Sequence, residues 1–357
     1  MIYLVGGTRP NFIKIAAISR AFEKYDLLYE IIHTGQHYEY NMSKVFFEEF
    51  DLKDPLVHLE VGSGPHGEQT GKIMERFERF CFDSVPSLVC VVGDVNSTMA
   101  AALVASKMHI PVAHQEAGMR SGDMKMPEEI NRIVTDHISD YLFPISPKDK
   151  LNLFSEGIDI SKIHLVGDVM IDNLLHYSRM LKEPPTNEKH ILVEVHRPAN
   201  VDNENNLKEI IIALYQLSVS YHVVFSIHPR TKKMIDEFKL WKYLNMVDCS
   251  DGMGYFDFLK YMIHSCVVIT DSDGIQQETS VLDIPCISIR DTTNIEYTIK
   301  YGTNKLVEPD RDKIYKAAIY PMNNDERKHT DFPEELKRLN DGKASERMAE
   351  IIKKYRF

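Results

Sequence analysis

Cysteine is scarce in this chain, and what there is does not pair. Five occur in 357 residues, at positions 81, 90, 249, 266 and 286, with no CxxC among them and most inside apolar stretches such as "SLVCVVGD". That distribution argues against a disulfide framework or a cysteine metal site, and predicts buried, reduced thiols in a cytoplasmic protein. Basic residues are outnumbered, 42 Lys and Arg against 53 Asp and Glu, for a formal net charge of -11. No nucleic-acid partner is therefore expected, although a local basic pocket for a small anion is compatible with this balance. No apolar run approaches the ~18 residues of a membrane span, and the opening "MIYLVGG" has no basic leader or cleavage site, so neither export nor a membrane partner is expected. HExxH, P-loop, GxSxG and iron–sulfur patterns are missing, which leaves no bound metal and no nucleophilic serine indicated. Low-complexity sequence and short-period repeats are missing too.

What is present is a soluble, globular composition, 43% apolar and 27% charged. The length suits two domains, since single cores stop growing at roughly 250 to 300 residues. Short apolar runs alternate with amphipathic stretches: "MIYLVGG", "LYEIIHTG", "SLVCVVGD", "IPVAHQEAG", "YLFPIS" and "KIHLVGD". After the polar "KEPPTNEKH" the rhythm resumes with "HILVEVH", "HVVFSIHP", "NMVDCSD", "CVVITDSDG" and "PCISIRD". Buried strands alternating with helices imply βαβ units and parallel sheets. The fold class read from this is α/β, with two doubly wound Rossmann-like domains facing a cleft. The boundaries fall at 1–169, 170–342 and a last segment, 343–357. In that segment, Met348, Ile351, Ile352 and Tyr355 at helical spacing predict a helix that packs back on the first domain.

Ligands of open α/β sheets bind beyond the carboxyl ends of the strands, which is where the polar motifs lie. In "GGTRPNFIK", Arg9 and Lys14 sit at the start of a helix, either as an anion site or as ordinary surface cations. In "DSDGIQQE", Ser272, Asp273 and Gly274 open a helix that carries Glu278. Its amides suit a diphosphate and its acid a ribose diol; a simply capped helix is the competing reading. His196 and His228 each end a buried strand beside an arginine, a placement suited to phosphate contact or acid–base work or to a structural role. Asp94, Glu116 and Glu128 fall on loop or helix-start positions of one rim, where crowded carboxylates separate into proton donors and acceptors. Glu128 and Glu129 also serve the dipole of the helix they open. Glu116 directly follows an apolar strand, where a purely decorative acid is harder to account for.

Taken in order, "GGTRPNFIK", "HTGQH", "NMSKVFF", "GDVNST", "EAGMRSGDMKMPEEINR", "VGDVMID", "HRPANVD", "HPRT", "DSDGIQQE" and "GTNKLV" resemble the non-hydrolysing UDP-N-acetylglucosamine 2-epimerase family, over nearly the whole chain. The resemblance implies a glycosyltransferase-B-like fold, a homodimer, a UDP-sugar substrate and no cofactor. It also implies reversible inversion at carbon 2, by elimination of UDP to a glycal and its re-addition, on the way to surface polysaccharide. Position by position, the family's catalytic groups fall on Asp94, Glu116, Glu128 and His196, with Asp94 as the base or its partner and the two glutamates as acids for the second proton transfer. Its substrate-binding groups fall on Arg9, Lys14, Arg120, His228, Arg230, Ser272, Asp273, Gly274 and Glu278. Relatives sharing "MPEEINR", "VGDVM" and "HPRT" act on UDP-linked 2,3-diacetamido glucuronic acid, which leaves the sugar open. A hydrolysing epimerase, a glycosyltransferase and a noncatalytic UDP-sugar sensor are further alternatives. Four departures stand out. Asp273 replaces a glycine in "DSGGIQEE", and Asn11 replaces the glutamate of "GTRPE". Residues 293–296 replace "TERP" and lack its arginine. "QHYEYNMSK" replaces the segment used for activation by substrate, so that regulation is not expected.

Overall fold

Strand β4, Leu88–Val92, reads "LVCVV" and is buried at every position, as a strand covered by helices on both faces must be. It sits at the middle of a parallel six-stranded sheet of order β3-β2-β1-β4-β5-β6. The other members are β1 (Ile2–Gly6), β2 (Tyr29–His33), β3 (Val57–His58), β5 (Val112–Gln115) and β6 (Tyr141–Phe143). A second parallel sheet has the order β12-β11-β10-β7-β8-β9. Its strands are β7 (His190–Glu194), β8 (His222–Ile227), β9 (Asp248–Asp251), β10 (Val267–Thr270), β11 (Cys286–Ile289) and β12 (Asn304–Val307). Counted from its own first strand, the second sheet repeats the order of the first, the doubly wound Rossmann-like pattern. The computed structural model describes residues 1–35, 47–186, 188–293, 295–323 and 329–355. The segment "QHYEYNMSK" and Asn294 lie outside the described residues.

The chain divides into two compact units, Met1–Asn173 with Arg338–Phe357, and Leu174–Lys337. Each has its own apolar core: one around Tyr3, Val89, Val91, Ile73 and Phe77, the other around Ile191, Val193, Phe225, Leu214 and Ile269. Sheet edges are short or polar, as in "VH" of β3 and "DCSD" of β9, which discourages pairing with other chains.

The expected strand "KIHLVGD" is only a single parallel bridge, Leu142 to Ile163. The N–H groups of His164 and Val166 still donate to the carbonyls of Leu142 (2.8 Å) and Pro144 (3.3 Å), but Pro144 has no N–H to return a ladder bond. Gly167, at φ +97°, then turns the chain away. A Cβ there would lie 2.5 Å from the Leu339 carbonyl, so only glycine fits. β3 and β12 were not among the expected runs.

The final helix, Ala344–Lys354, buries Ala344, Met348, Ala349 and Ile352 and packs on the helix Arg9–Lys24. Each large aliphatic side chain fully buried in this way contributes roughly 1.5–3 kcal/mol. Ile351 is only half-buried and Tyr355 is exposed. The opening amides of this helix are satisfied from a distant residue: the Asp172 carboxylate accepts from the N–H of Ala344 (3.0 Å) and of Ser345 (2.7 Å). Among the described residues, no helix is long and apolar enough to cross a membrane.

Candidate active site

In each doubly wound sheet the chain reverses direction of travel between its first and fourth strands, here β1 and β4 in one unit and β7 and β10 in the other. The carboxyl ends of such neighbours are the usual ligand position. In the first unit the register pairs Val5 with Val91 and Val92 with Gln115, so β1, β4 and β5 deliver their following residues to one edge of the sheet. Gly7 must be glycine, because a Cβ would stand 2.1 Å from Ser97 Oγ and 2.6 Å from Thr34 Oγ1. Asn11 is buried; its Oδ1 accepts from the N–H of Gly7 (3.1 Å) and Thr8 (3.2 Å), and its Nδ2 donates to the Val92 carbonyl (3.2 Å). A carboxylate at this position has no hydrogen to donate to that carbonyl, so Asn11 is a brace between β1 and β4. Arg9 opens the helix and is exposed.

Gly93, at φ +69°, is where the polar groups converge: a Cβ on it would lie 3.3 Å from Lys14 Nζ, 3.4 Å from Asn11 Nδ2 and 3.5 Å from Glu116 Oε2. Lys14 forms an ion pair with Glu116, both largely buried. Burial opposes the Lys14 charge, but the carboxylates of Glu116, Asp168 and Asp94 outweigh it and hold its pKa above the usual value. Glu116 itself has φ +72°, a left-handed conformation that costs a non-glycine residue roughly 1–3 kcal/mol and clusters at functional sites. The strain aims its side chain at the end of β4.

Asp94 is held by Arg132, whose Nε (3.1 Å) and Nη2 (2.6 Å) both reach Oδ2. The other arm of Arg132 donates to Glu129 (2.9 Å). Glu129 is buried and accepts from the N–H of Ser121 (2.9 Å) and Gly122 (2.9 Å). Burial works against its charge, yet these amides and Arg132 bring its pKa down to about 2. It staples the loop before its own helix, Pro127–Ile138, and so does more than complement a dipole. Glu128, in the first turn of that helix, is half-buried.

Asp168 is an acid that the sequence reading passed over. It is buried and accepts from the Met170 N–H (2.8 Å). Burial first, then the Glu116 charge, push its pKa up to about 7 against the pull of Lys14. Arg120 is turned into the protein, donating to Asp136 (2.7 Å), Glu156 (2.7 Å) and the Met119 carbonyl (2.8 Å). With His114 it fixes the buried Asp136.

In the second unit, β7 pairs with β10 so that Glu194 lies beside Thr270. Asp271, fully buried, accepts from the N–H of His196 (3.0 Å), the N–H of Arg197 (3.0 Å) and Asn200 Nδ2 (2.8 Å). It thereby sets the turn that carries His196. His196 Nδ1 lies 2.6 Å from Glu194 Oε1, and the His228 ring lies 5.3 Å away. Arg230 is paired with Asp202 at the surface through Nε (2.9 Å) and Nη2 (2.5 Å).

Ser272 stands at the N-cap position of the helix Asp273–Val281 without a side-chain capping hydrogen bond, and the helix carries exposed Gly274 and half-buried Glu278 in its first turns. Asp273, the departure beside the expected diphosphate, is offset from both sides. Arg197 Nη2 donates to Oδ2 (2.6 Å), Arg290 pairs with Oδ1, and Thr293 Oγ1 donates to Oδ1 (3.2 Å). Arg132, Asp168, Glu194, Asp271, Arg197 and Arg290 are thus partners of the candidate site residues that motif reading missed. For the acids a signal existed: each ends or directly follows an apolar run.

A family model described as UDP-N-acetylglucosamine 2-epimerase matches residues 20–353. The UDP-N-acetylglucosamine 2-epimerase of Methanocaldococcus jannaschii is 40% identical over 98% of both chains. The UDP-2,3-diacetamido-2,3-dideoxy-D-glucuronate 2-epimerase of Pseudomonas aeruginosa is 37% identical over 99% of both. The crystal structure of the M. jannaschii enzyme in complex with UDP-GlcNAc and UDP superposes with a TM-score of 0.78 and 39% identity, covering 99% of each chain.

Proposed function

Because the chain belongs to the UDP-N-acetylglucosamine 2-epimerase family, whose members are isomerases, we propose that it interconverts UDP-N-acetylglucosamine and UDP-N-acetylmannosamine. The observation that carries this reading is the Lys14–Glu116 pair beside the Arg132-held Asp94, acids and cations alternating at the ends of β1, β4 and β5. The hydrogen on carbon 2 neighbours an amide nitrogen and not a carbonyl, so it is poorly acidic. Departure of UDP must supply much of the driving force. The bond from carbon 1 to the diphosphate oxygen breaks with its electron pair leaving on UDP. A carboxylate, Asp94 in this reading, takes the proton from carbon 2, and the double bond of a glycal forms. A proton then returns to the other face of carbon 2 from Glu116 or Glu128 as UDP re-adds to carbon 1. Arg9, His196, Ser272 and Gly274 are assigned to the diphosphate side of UDP, where developing negative charge needs donors, and the Glu278 carboxylate to the ribose hydroxyls, from which it accepts. Arg120, His228 and Arg230 stay in the proposed substrate set, the two arginines reaching an anion only by exchanging the carboxylates that now pair with them.

A second sugar is favoured by the likeness to the P. aeruginosa enzyme, namely UDP-2,3-diacetamido glucuronate inverted at the same carbon. Incubation with each UDP-sugar in deuterated water, followed by NMR of carbon 2 and of released UDP, tests both readings. Deuterium at carbon 2 of one sugar, with its epimer and little free UDP, is the expected result. Absence of exchange from both, or transfer of the sugar to an acceptor, refutes the proposal.

A further inference from the structure

Glu194 ends a central strand, its side chain is 14% exposed, and a carboxylate there loses hydration that must be replaced. Thr270 Oγ1 is a weak donor to Oε2 at 3.4 Å. The close partner is His196, with Nδ1 2.6 Å from Oε1. A contact that short between a ring nitrogen and a carboxylate is a charge-assisted hydrogen bond, with the proton on Nδ1. Among the described residues the other nitrogen, Nε2, has no protein partner.

His228 completes the arrangement. Its Nδ1 accepts from the Arg230 N–H (3.1 Å), so that nitrogen carries no proton and the ring is the neutral Nε2–H form. Burial, and then the neighbouring His196 charge, hold its pKa below the usual value. One ring of the pair is thus kept neutral, which removes the like charge that would oppose protonation of the other. The remaining charged groups at His196 are Asp271, whose carboxylate lies 3.7 Å from Nδ1, and Arg197, which acts in the opposite sense. Both Asp271 oxygens are already taken by three N–H donors. That, with the proton-sharing distance between His196 and Glu194, makes this trio a proton site and not a metal site.

We propose that Glu194 is a positioning residue that holds His196 as an imidazolium with Nε2–H available to the departing diphosphate. The proposal rests on the reading of His196 given above and adds the group that sets its charge and tautomer. The His196 pKa lies above the usual histidine value, chiefly through the Glu194 hydrogen bond, with burial working against it. Above neutral pH an unassisted histidine, with pKa near 6.5, would be mostly uncharged.

The test is an NMR titration of 15N-histidine-labelled wild type and Glu194→Gln, alongside kcat and KM across pH. In Glu194→Gln the His196 titration moves to lower pH, so that less imidazolium remains at alkaline pH. kcat at alkaline pH then falls by the same factor as the imidazolium population that the NMR titration reads, with little change in KM. Glu194→Asp restores part of the NMR shift. A His196 titration unchanged in Glu194→Gln overturns the proposal. A lowered titration with unchanged kcat leaves the dyad standing and refutes instead the role given to His196 in the reaction.

Discussion

Asp273→Gly is expected to tighten binding of UDP. The Asp273 carboxylate occupies two arginines and a hydroxyl at the start of the helix that the reaction would use for a diphosphate. Any incoming anion competes with it for Arg197 and Arg290 and is repelled by its charge. Partly exposed ion pairs contribute roughly 0.2–1 kcal/mol each, and charge-assisted hydrogen bonds to less exposed groups more. Arg290 is 12% exposed while Arg197 and Asp273 are 36% and 28%, so the Arg197 share is discounted for screening. Releasing both arginines then favours UDP by about 1–2 kcal/mol, or about five- to thirtyfold in Kd. Calorimetric titration of UDP into wild type, Asp273→Gly and Asp273→Asn measures this directly. Asp273→Asn, which keeps the shape and loses the charge, should gain an intermediate amount. The gain should also shrink with added salt. Equal or weaker UDP binding in both variants, with unfolding unchanged, would refute the reasoning: Asp273 would then be holding the arginines in place for the ligand.

Asp94→Asn and His196→Ala should each lower turnover by at least about a hundredfold, the lower range for removing an acid–base group, with the fold retained by circular dichroism; near-normal rates in both would dismiss the proposed site. Gly7→Ala should destabilise or unfold the protein because of the clash with Ser97 and Thr34, whereas Gly71→Ala, with nothing within 4 Å of the new Cβ, should stabilise by about 0.5–1 kcal/mol through helix propensity; urea unfolding compares them. Glu129 has a folded pKa of about 2 against an unfolded value near 4.3. Its contribution of about 3 kcal/mol is therefore present above pH ~4.3 and lost as pH falls toward 2, and Glu129→Gln should flatten that acid limb. Asp168 has the opposite sign. With its pKa raised to about 7, ionising it costs stability as pH rises from ~3.9 to ~7, so the stability of Asp168→Asn relative to wild type should climb across that range.

The strands were legible where burial on both faces makes a continuous apolar run, as in β4 and β7. They were not legible where an edge strand is two residues long, as in β3, or where a proline directly after the neighbouring strand has no N–H to continue the ladder, as with Pro144 beside "KIHLVGD". Among the candidate site residues, Glu116 could be picked out because it directly follows a buried strand, and Asp94 because it falls in the loop after β4 within the family-like "GDVNST". Their partners could not: Arg132 meets Asp94 from 38 residues away and Lys14 meets Glu116 from 102, and no local pattern encodes either meeting. The same limit applies to Arg120 and Arg230. A motif marks the arginine as a ligand group, but only the fold reveals that Asp136, Glu156 and Asp202 already hold it.

The Asp172 carboxylate at the start of the last helix has a consequence for the order in which the chain is made. The Leu174–Lys337 unit is continuous and is complete as soon as its own residues have emerged during synthesis. The first unit begins earlier yet finishes later, because the helix 9–24 waits for its cover until residues 344–354 exist. Until then the apolar flank of that helix stays in water, and a stalled or truncated chain carries an unfinished first unit attached to a finished second one. Loss of the last fifteen or so residues, a small fraction of the length, therefore endangers the half of the protein that is farthest from them in sequence.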